Sequence, residues 1–145
     1  GGLFAILSVN FVGYKAEPAR WHYNRGMSFA EAGDLDRAMS EFRTTLRLNP
    51  EHWQAHLDLG VALAMADRPD EAWRHLSETI RLNPESVFAY YNRGLLLELA
   101  GQLEASEREY LEALRLDPGF ERAKKDLARV RAQLRSRESG QPPGQ

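Results

Sequence analysis

The sequence predicts an all-α fold, a solenoid of three helix–turn–helix units closed by a further helix. Three observations predict it. Gly26, Gly60 and Gly94 stand 34 residues apart, and so do Pro50, Pro84 and Pro118. Each proline closes a similar phrase: Leu46-Arg47-Leu48-Asn49-Pro50, Ile80-Arg81-Leu82-Asn83-Pro84, Leu114-Arg115-Leu116-Asp117-Pro118. Apolar residues recur at helical spacing on both sides of a mid-repeat break, as in Leu35, Ala38, Met39, Phe42 and Leu46. Self-similarity at a fixed period of this length marks a repeat array.

The elements follow in order. Residues 1–18 are an apolar N-terminal arm or the remnant of a membrane helix. The run from Leu3 to Tyr14 carries no charge. It is too short to span a bilayer, which takes about 20 apolar residues, and no basic stretch precedes it as in a signal peptide. The opening Gly1-Gly2, without Met, points to a processed or excised segment and leaves open whether sequence precedes it.

The first unit, 19–52, places helices at about 19–32 and 35–48 around the Gly33-Asp34 break. It ends at Asn49-Pro50, because the residue before proline is pushed out of the α region. The second unit, 53–86, places helices at about 53–66 and 69–82, with Pro69 where a first helical turn tolerates it. The third, 87–119, places them at about 87–100 and 103–116 around Gly101-Gln102. A basic capping helix is expected over 120–138, and the Ser-, Gly-, Gln- and Pro-rich residues 139–145 as a disordered tail.

Small residues recur where packing is tight. A glycine inside a helix costs about 1 kcal/mol against Ala, so Gly26, Gly60 and Gly94 imply that another backbone comes close. Ala38, Ala72 and Ser106 offer the matching small surface. Phe29, Leu63 and Leu97, with Phe42, Leu76 and Tyr110, are expected to fill the space between units. A 34-residue helix pair with Gly, a small residue, an aromatic and Pro at these offsets resembles the tetratricopeptide repeat (TPR) family. His22 and His56 depart from its Trp slot, and Arg25 and Arg93 from its Leu slot, within a loose consensus.

Composition excludes several function classes. Among 145 residues there is no Cys, which removes disulfides, thiolate metal sites and cysteine nucleophiles without fixing a compartment. The net charge of −2 argues against bulk nucleic-acid binding. Residues 119–145 nevertheless hold seven basic and three acidic side chains, and a nucleic-acid or acidic-lipid contact through 122–137 is the weakest of the alternatives. His52 and His56 share an i, i+4 spacing that could hold a metal, but no third ligand accompanies them, so no metal and no cofactor are expected. No phosphate loop, nucleophile elbow or zinc-protease motif is present, so the chain does not read as an enzyme.

The resemblance implies a right-handed superhelix whose first helices line a concave groove for a partner's peptide or helix. Slots counted from each glycine assign the lining. They are Tyr23, Asn24 and Met27 in the first repeat, Leu57, Asp58, Val61 and Met65 in the second, and Phe88, Tyr91, Asn92, Leu95 and Leu99 in the third. Arg20, Glu31, Arg122, Lys125 and Arg129 supply charge at the groove ends. The expected function is a protein-interaction scaffold that binds an apolar peptide or amphipathic helix, with Asn24 and Asn92 bonding its backbone. It stands alone or as a module of a larger or membrane-tethered protein. The alternative is a self-assembling unit whose groove is filled by residues 3–14 of the same or a neighbouring chain. One family specificity is not expected. The carboxylate clamp of chaperone-tail binders needs Lys and Asn where this chain has Tyr23 and Met27, Asn at Asp58, and Lys and Arg at Phe88 and Asn92.

Overall fold

The computed structural model describes residues 17–140. Seven helices occupy them: α1 (Pro18–Glu31), α2 (Leu35–Leu48), α3 (Trp53–Met65), α4 (Pro69–Leu82), α5 (Val87–Leu99), α6 (Leu103–Leu116) and α7 (Glu121–Ser139). The arm residues 3–14 and most of the expected tail lie outside the described residues. No described helix is long and apolar enough to cross a membrane.

Local chemistry punctuates the helices. Pro18 and Pro69 occupy first-turn positions, where a missing N–H costs nothing. The Asp34 carboxylate accepts the Arg37 backbone N–H and caps α2 at 3.1 Å. The mid-repeat break needs a left-handed residue, supplied by Gly33 (φ 78°) and Gly101 (φ 74°), and by Asp67 (φ 56°) in the second pair. Asp is among the few side chains that enter this region readily.

Helices pack as consecutive pairs, α1 on α2, α3 on α4 and α5 on α6, and each pair leans on the next. Phe42, Leu76 and Tyr110 are fully buried, one per pair. The glycine slot makes room for these side chains rather than for a neighbouring backbone. A Cβ on Gly26 would meet the Phe42 ring at 2.6 Å, one on Gly60 the Leu76 Cγ at 2.9 Å, and one on Gly94 the Tyr110 ring at 2.5 Å. Each large residue therefore packs inside its own pair as well as toward the next. Thr45 and Thr79, buried in α2 and α4, satisfy their hydroxyls by donating to the carbonyls four residues back, each at 3.0 Å. At the far end α7 buries Ala123, Leu127 and Val130 and so covers the last pair. Gly140 (φ 66°) then ends α7.

Candidate functional site

The first helices of the pairs carry the expected lining slots. Three large apolar side chains stand out from them into solvent: Met65 (69% exposed), Phe88 (58%) and Leu99 (86%). Met27, Leu57, Val61 and Leu95 are half-buried around them, and Arg20, Asn24 and Glu31 are exposed along α1. A cavity of about 320 Å³ opens between the starts of α3 and α5, lined among others by Tyr23, Trp53, Leu57, Asp58 and Phe88. Phe88 is held edge-on to Phe120, with ring centroids 5.6 Å apart. On α7, Arg122 and Lys125 are exposed.

Other expected lining residues are engaged within the protein. The Tyr23 hydroxyl donates to Asp58 Oδ2 at 2.8 Å, joining α1 to α3. Tyr91 departs from the open lining set. It is buried, and its hydroxyl donates to Asp126 Oδ2 at 2.7 Å, joining α5 to α7. Burial, with the acceptor carboxylate beside it, pushes the Tyr91 phenol up to about 12 and moves Tyr23 in the same direction. Burial also raises the Asp58 carboxyl, against the opposing pull of Tyr23 and His52. Arg129 likewise is no open end charge. Its guanidinium bonds Glu98 at 2.7 and 2.9 Å and Asp126 at 2.7 Å, tying α7 to α5. That guanidinium, joined by the Tyr110 hydroxyl, holds the Glu98 carboxyl below its usual range. Asn92 donates to the Phe88 carbonyl of its own helix at 2.7 Å.

A model of the tetratricopeptide repeat family matches residues 23–73 and 67–119. The chain belongs to the tetratricopeptide repeat family. No curated protein matches the sequence. Among solved structures, the first TPR domain of Spaghetti (RPAP3), bound to the HSP90 peptide SRMEEVD, superposes with a TM-score of 0.80 at 20% identity, over 83% of this chain and 95% of that one. The Arabidopsis OM64 TPR domain gives 0.77 at 18% identity, over 79% and 95%. MamA gives 0.76 at 22%, over 87% and 71%. At these identities the likeness shows the fold alone.

Within the TPR frame, the slots that depart from consensus do specific work. Arg93, in the Leu slot of the third repeat, lies 4.2 Å over the Trp73 ring and bonds Glu109 at 2.6 Å. Burial outweighs this cation at Glu109 and raises its carboxyl. Arg93 Nε and Glu109 Oε2 are buried without a partner, so the pair is only partly satisfied. In the second repeat the same slots hold Leu59 and His75. There the Nδ1 atoms of His56 and His75 sit 2.9 Å apart. The Pro50 carbonyl lies 3.0 Å from His56 Nε2 and can only accept, so His56 carries its proton there and takes the His75 N–H at Nδ1. His52 points elsewhere, accepting the Ala55 backbone N–H to cap α3. The i, i+4 histidines therefore do not converge, and no group of three metal-ligating side chains exists among the described residues. The Tyr–Asp links were legible only as a spacing of one period plus one residue, Tyr23 to Asp58 and Tyr91 to Asp126.

Proposed function

We propose that this chain is a non-enzymatic interaction module that holds an apolar peptide or amphipathic helix against α3 and α5. The observation that carries this is the exposure of Met65, Phe88 and Leu99 together on first-helix slots. Large apolar side chains held out of the core along neighbouring first helices favour an interaction surface, and a methionine adapts to varied partners. Phe88 and Leu99 stand eleven residues apart on one helix, about 16 Å, with Leu95 half-buried between them, so an amphipathic helix lying along α5 can present anchors at i, i+4, i+7 and i+11 to them. Asp58 and Asn92 supply polar edges, and Arg122 and Lys125 of α7 favour an acidic residue near one end of the ligand.

TPR neighbours support the class of activity: RPAP3 domains were solved with the HSP90 peptide SRMEEVD and the HSP70 peptide SGPTIEEVD. Those peptides carry acidic residues toward their ends. Here the slots a carboxylate clamp would use hold Tyr23, Met27, Asp58, Phe88 and Asn92, and Tyr23 and Asp58 bond one another. The proposed ligand is therefore apolar along these slots, with acidic character only toward the α7 end.

The test is selection of helical peptides from a displayed library on the full chain, followed by affinity measurement. Phe88→Ala and Leu99→Glu are each expected to weaken selected peptides about tenfold or more. Because both side chains are exposed, the thermal midpoint should stay within about 0.5 kcal/mol equivalent for Leu99→Glu. Peptides that bind both variants as tightly as the parent chain overturn the assignment.

A further inference from the structure

One slot separates the first repeat from all later ones. Trp21 on α1 aligns, at 34-residue steps, with Ala55 on α3, Ala89 on α5 and Ala123 on α7. The three alanines are fully buried, because the second helix of the preceding pair closes over each of them. Trp21 is 57% exposed. Its neighbours on the same face of α1 are Arg25, in the slot of the buried Leu59 and Leu127, and Phe29, in the slot of the buried Leu63. The Arg25 guanidinium lies 5.0 Å over Trp21 and 5.6 Å over Phe29, and Arg37 lies 5.5 Å over Phe29 from the other side. The slot that every later first helix buries is held on α1 by a tryptophan open to water, beside the exposed Arg25 and the half-buried Phe29.

We propose that residues 3–14 of this same chain seat on this platform of Trp21, Arg25 and Phe29, in the position that α2, α4 and α6 hold against the first helices that follow them. The tether has the right length. Second helices connect to the next first helix through four residues, 49–52, 83–86 and 117–120. Between Tyr14 and the start of α1 at Pro18 lie three, Lys15, Ala16 and Glu17. The chain also turns at the right place. Glu17 has non-helical backbone (φ −91°, ψ 88°) ahead of the first-turn Pro18, so α1 does not run straight back into the arm. Twelve residues reach at least about 18 Å in any regular conformation, against about 21 Å for the fourteen of α1, which is length enough to cover the platform. The run has no charged residue, and covalent attachment gives it an effective concentration no free partner matches. This differs from an arm lying in the peptide groove: the platform faces away from the slots of Met65, Phe88 and Leu99, so those stay free for a ligand.

The experiment uses the full chain carrying Trp53→Phe and Trp73→Phe, which leaves Trp21 as its only tryptophan. The same chain with Leu7→Asp and Phe11→Asp, two charges four residues apart in the arm, is its counterpart. Seating predicts emission shifted to the blue and acrylamide quenching several-fold weaker in the uncharged arm chain. It also predicts monomer mass by light scattering and protection that persists on dilution. Hydrogen exchange on the chain with its tryptophans intact gives a second readout: amides of α1 should exchange about tenfold faster once the arm is charged, with α5 unchanged. Equal quenching in the two chains overturns the proposal. So does protection that vanishes on dilution together with a dimer mass, which assigns the arm to a second copy, and so does a change confined to α5, which assigns it to the groove.

Discussion

The junction between the first and second repeats and the junction between the second and third share one backbone frame but are linked on different helices. At the first, Tyr23 of α1 bonds Asp58 of α3. The slots that would repeat this at the second hold Leu57 and Asn92, and Asn92 turns back to its own helix. At the second junction the polar link runs between α5 and α4, where Arg93 stacks on Trp73 and reaches Ser77 at 3.5 Å. The corresponding slots at the first hold Leu59 and Met39, both buried and apolar. On the proposed reading, moving the link off the first helices bears on binding. It leaves Leu57, Phe88 and Leu95 as an apolar stretch at the second junction, while Tyr–Asp bonds hold the junctions on either side. The repeat specifies the backbone, and on the proposed reading the placement of one polar link decides where a ligand sits.

The largest effect should come from removing the α5–α4 link. Arg93→Leu copies the residue of the previous repeat, but it strands the Glu109 carboxylate in a half-buried site and removes the stack on Trp73. We expect a loss of about 2–3 kcal/mol in urea unfolding, the scale of a hydrogen bond to a charged group. Arg93→Leu with Glu109→Leu should recover most of it, because the native pair already leaves Arg93 Nε and Glu109 Oε2 unbonded, and apolar replacement of both partners is often near neutral. A double variant no better than Arg93→Leu alone would place the stability in the Trp73 stack instead.

The Tyr–Asp links should matter less and unequally. Tyr91→Phe leaves the buried Asp126 oxygen without its donor and should cost about 1–2 kcal/mol, whereas Tyr23→Phe, at a half-buried site, should cost nearer 0.5 kcal/mol. The sharper form installs the missing link. Leu57→Tyr with Asn92→Asp should leave the fold intact by circular dichroism yet weaken groove peptides, because the apolar stretch is then interrupted. Unchanged peptide affinity in that double variant would break the connection drawn here between the second junction and binding.

Much of this was readable from the sequence, and the physical reason is locality. Helix boundaries fell within about two residues because Gly, Pro and Asp act on their own backbone: α2, α4 and α6 coincide with the spans expected from their breaks. The exposure of Met65, Phe88 and Leu99 agrees with their slots, since a slot in a helix fixes which way a side chain faces, while their part in binding stays a proposal. Tyr91 and Arg129 were not, because the same slot becomes a junction when a neighbouring repeat offers a carboxylate. That pairing joins two different columns of the repeat, so comparing residues within one column cannot reveal it. Arg93 looked like a tolerated departure from consensus, and only its contact with Trp73, a residue of the preceding repeat, gives it a role. His56 and His75 stand 19 residues apart, the spacing that also separates His22 from Glu41, bonded at 2.6 Å, so that pairing did leave a trace in the sequence.

The smallest effect, and the one that divides the second and third repeats by pH, belongs to His75. Burial first, then the nearby His56 and Arg43, lowers its ring from the ordinary 6.5 to about 4. The unfolded chain therefore binds this proton more readily than the folded one. The contribution of neutral His75 is fully present above about pH 6.5 and declines as pH falls toward 4. Partial exposure of the ring to water keeps the decline shallow. Glu109, in the same slot of the third repeat, titrates in the opposite sense, since its raised carboxyl favours the protonated form on folding. Urea midpoints of the parent chain and of His75→Gln, measured from pH 7.5 to 4, isolate the difference. The parent should lose stability relative to His75→Gln across pH 6.5 to 4, and two parallel curves would show that His75 titrates alike in the folded and unfolded chains.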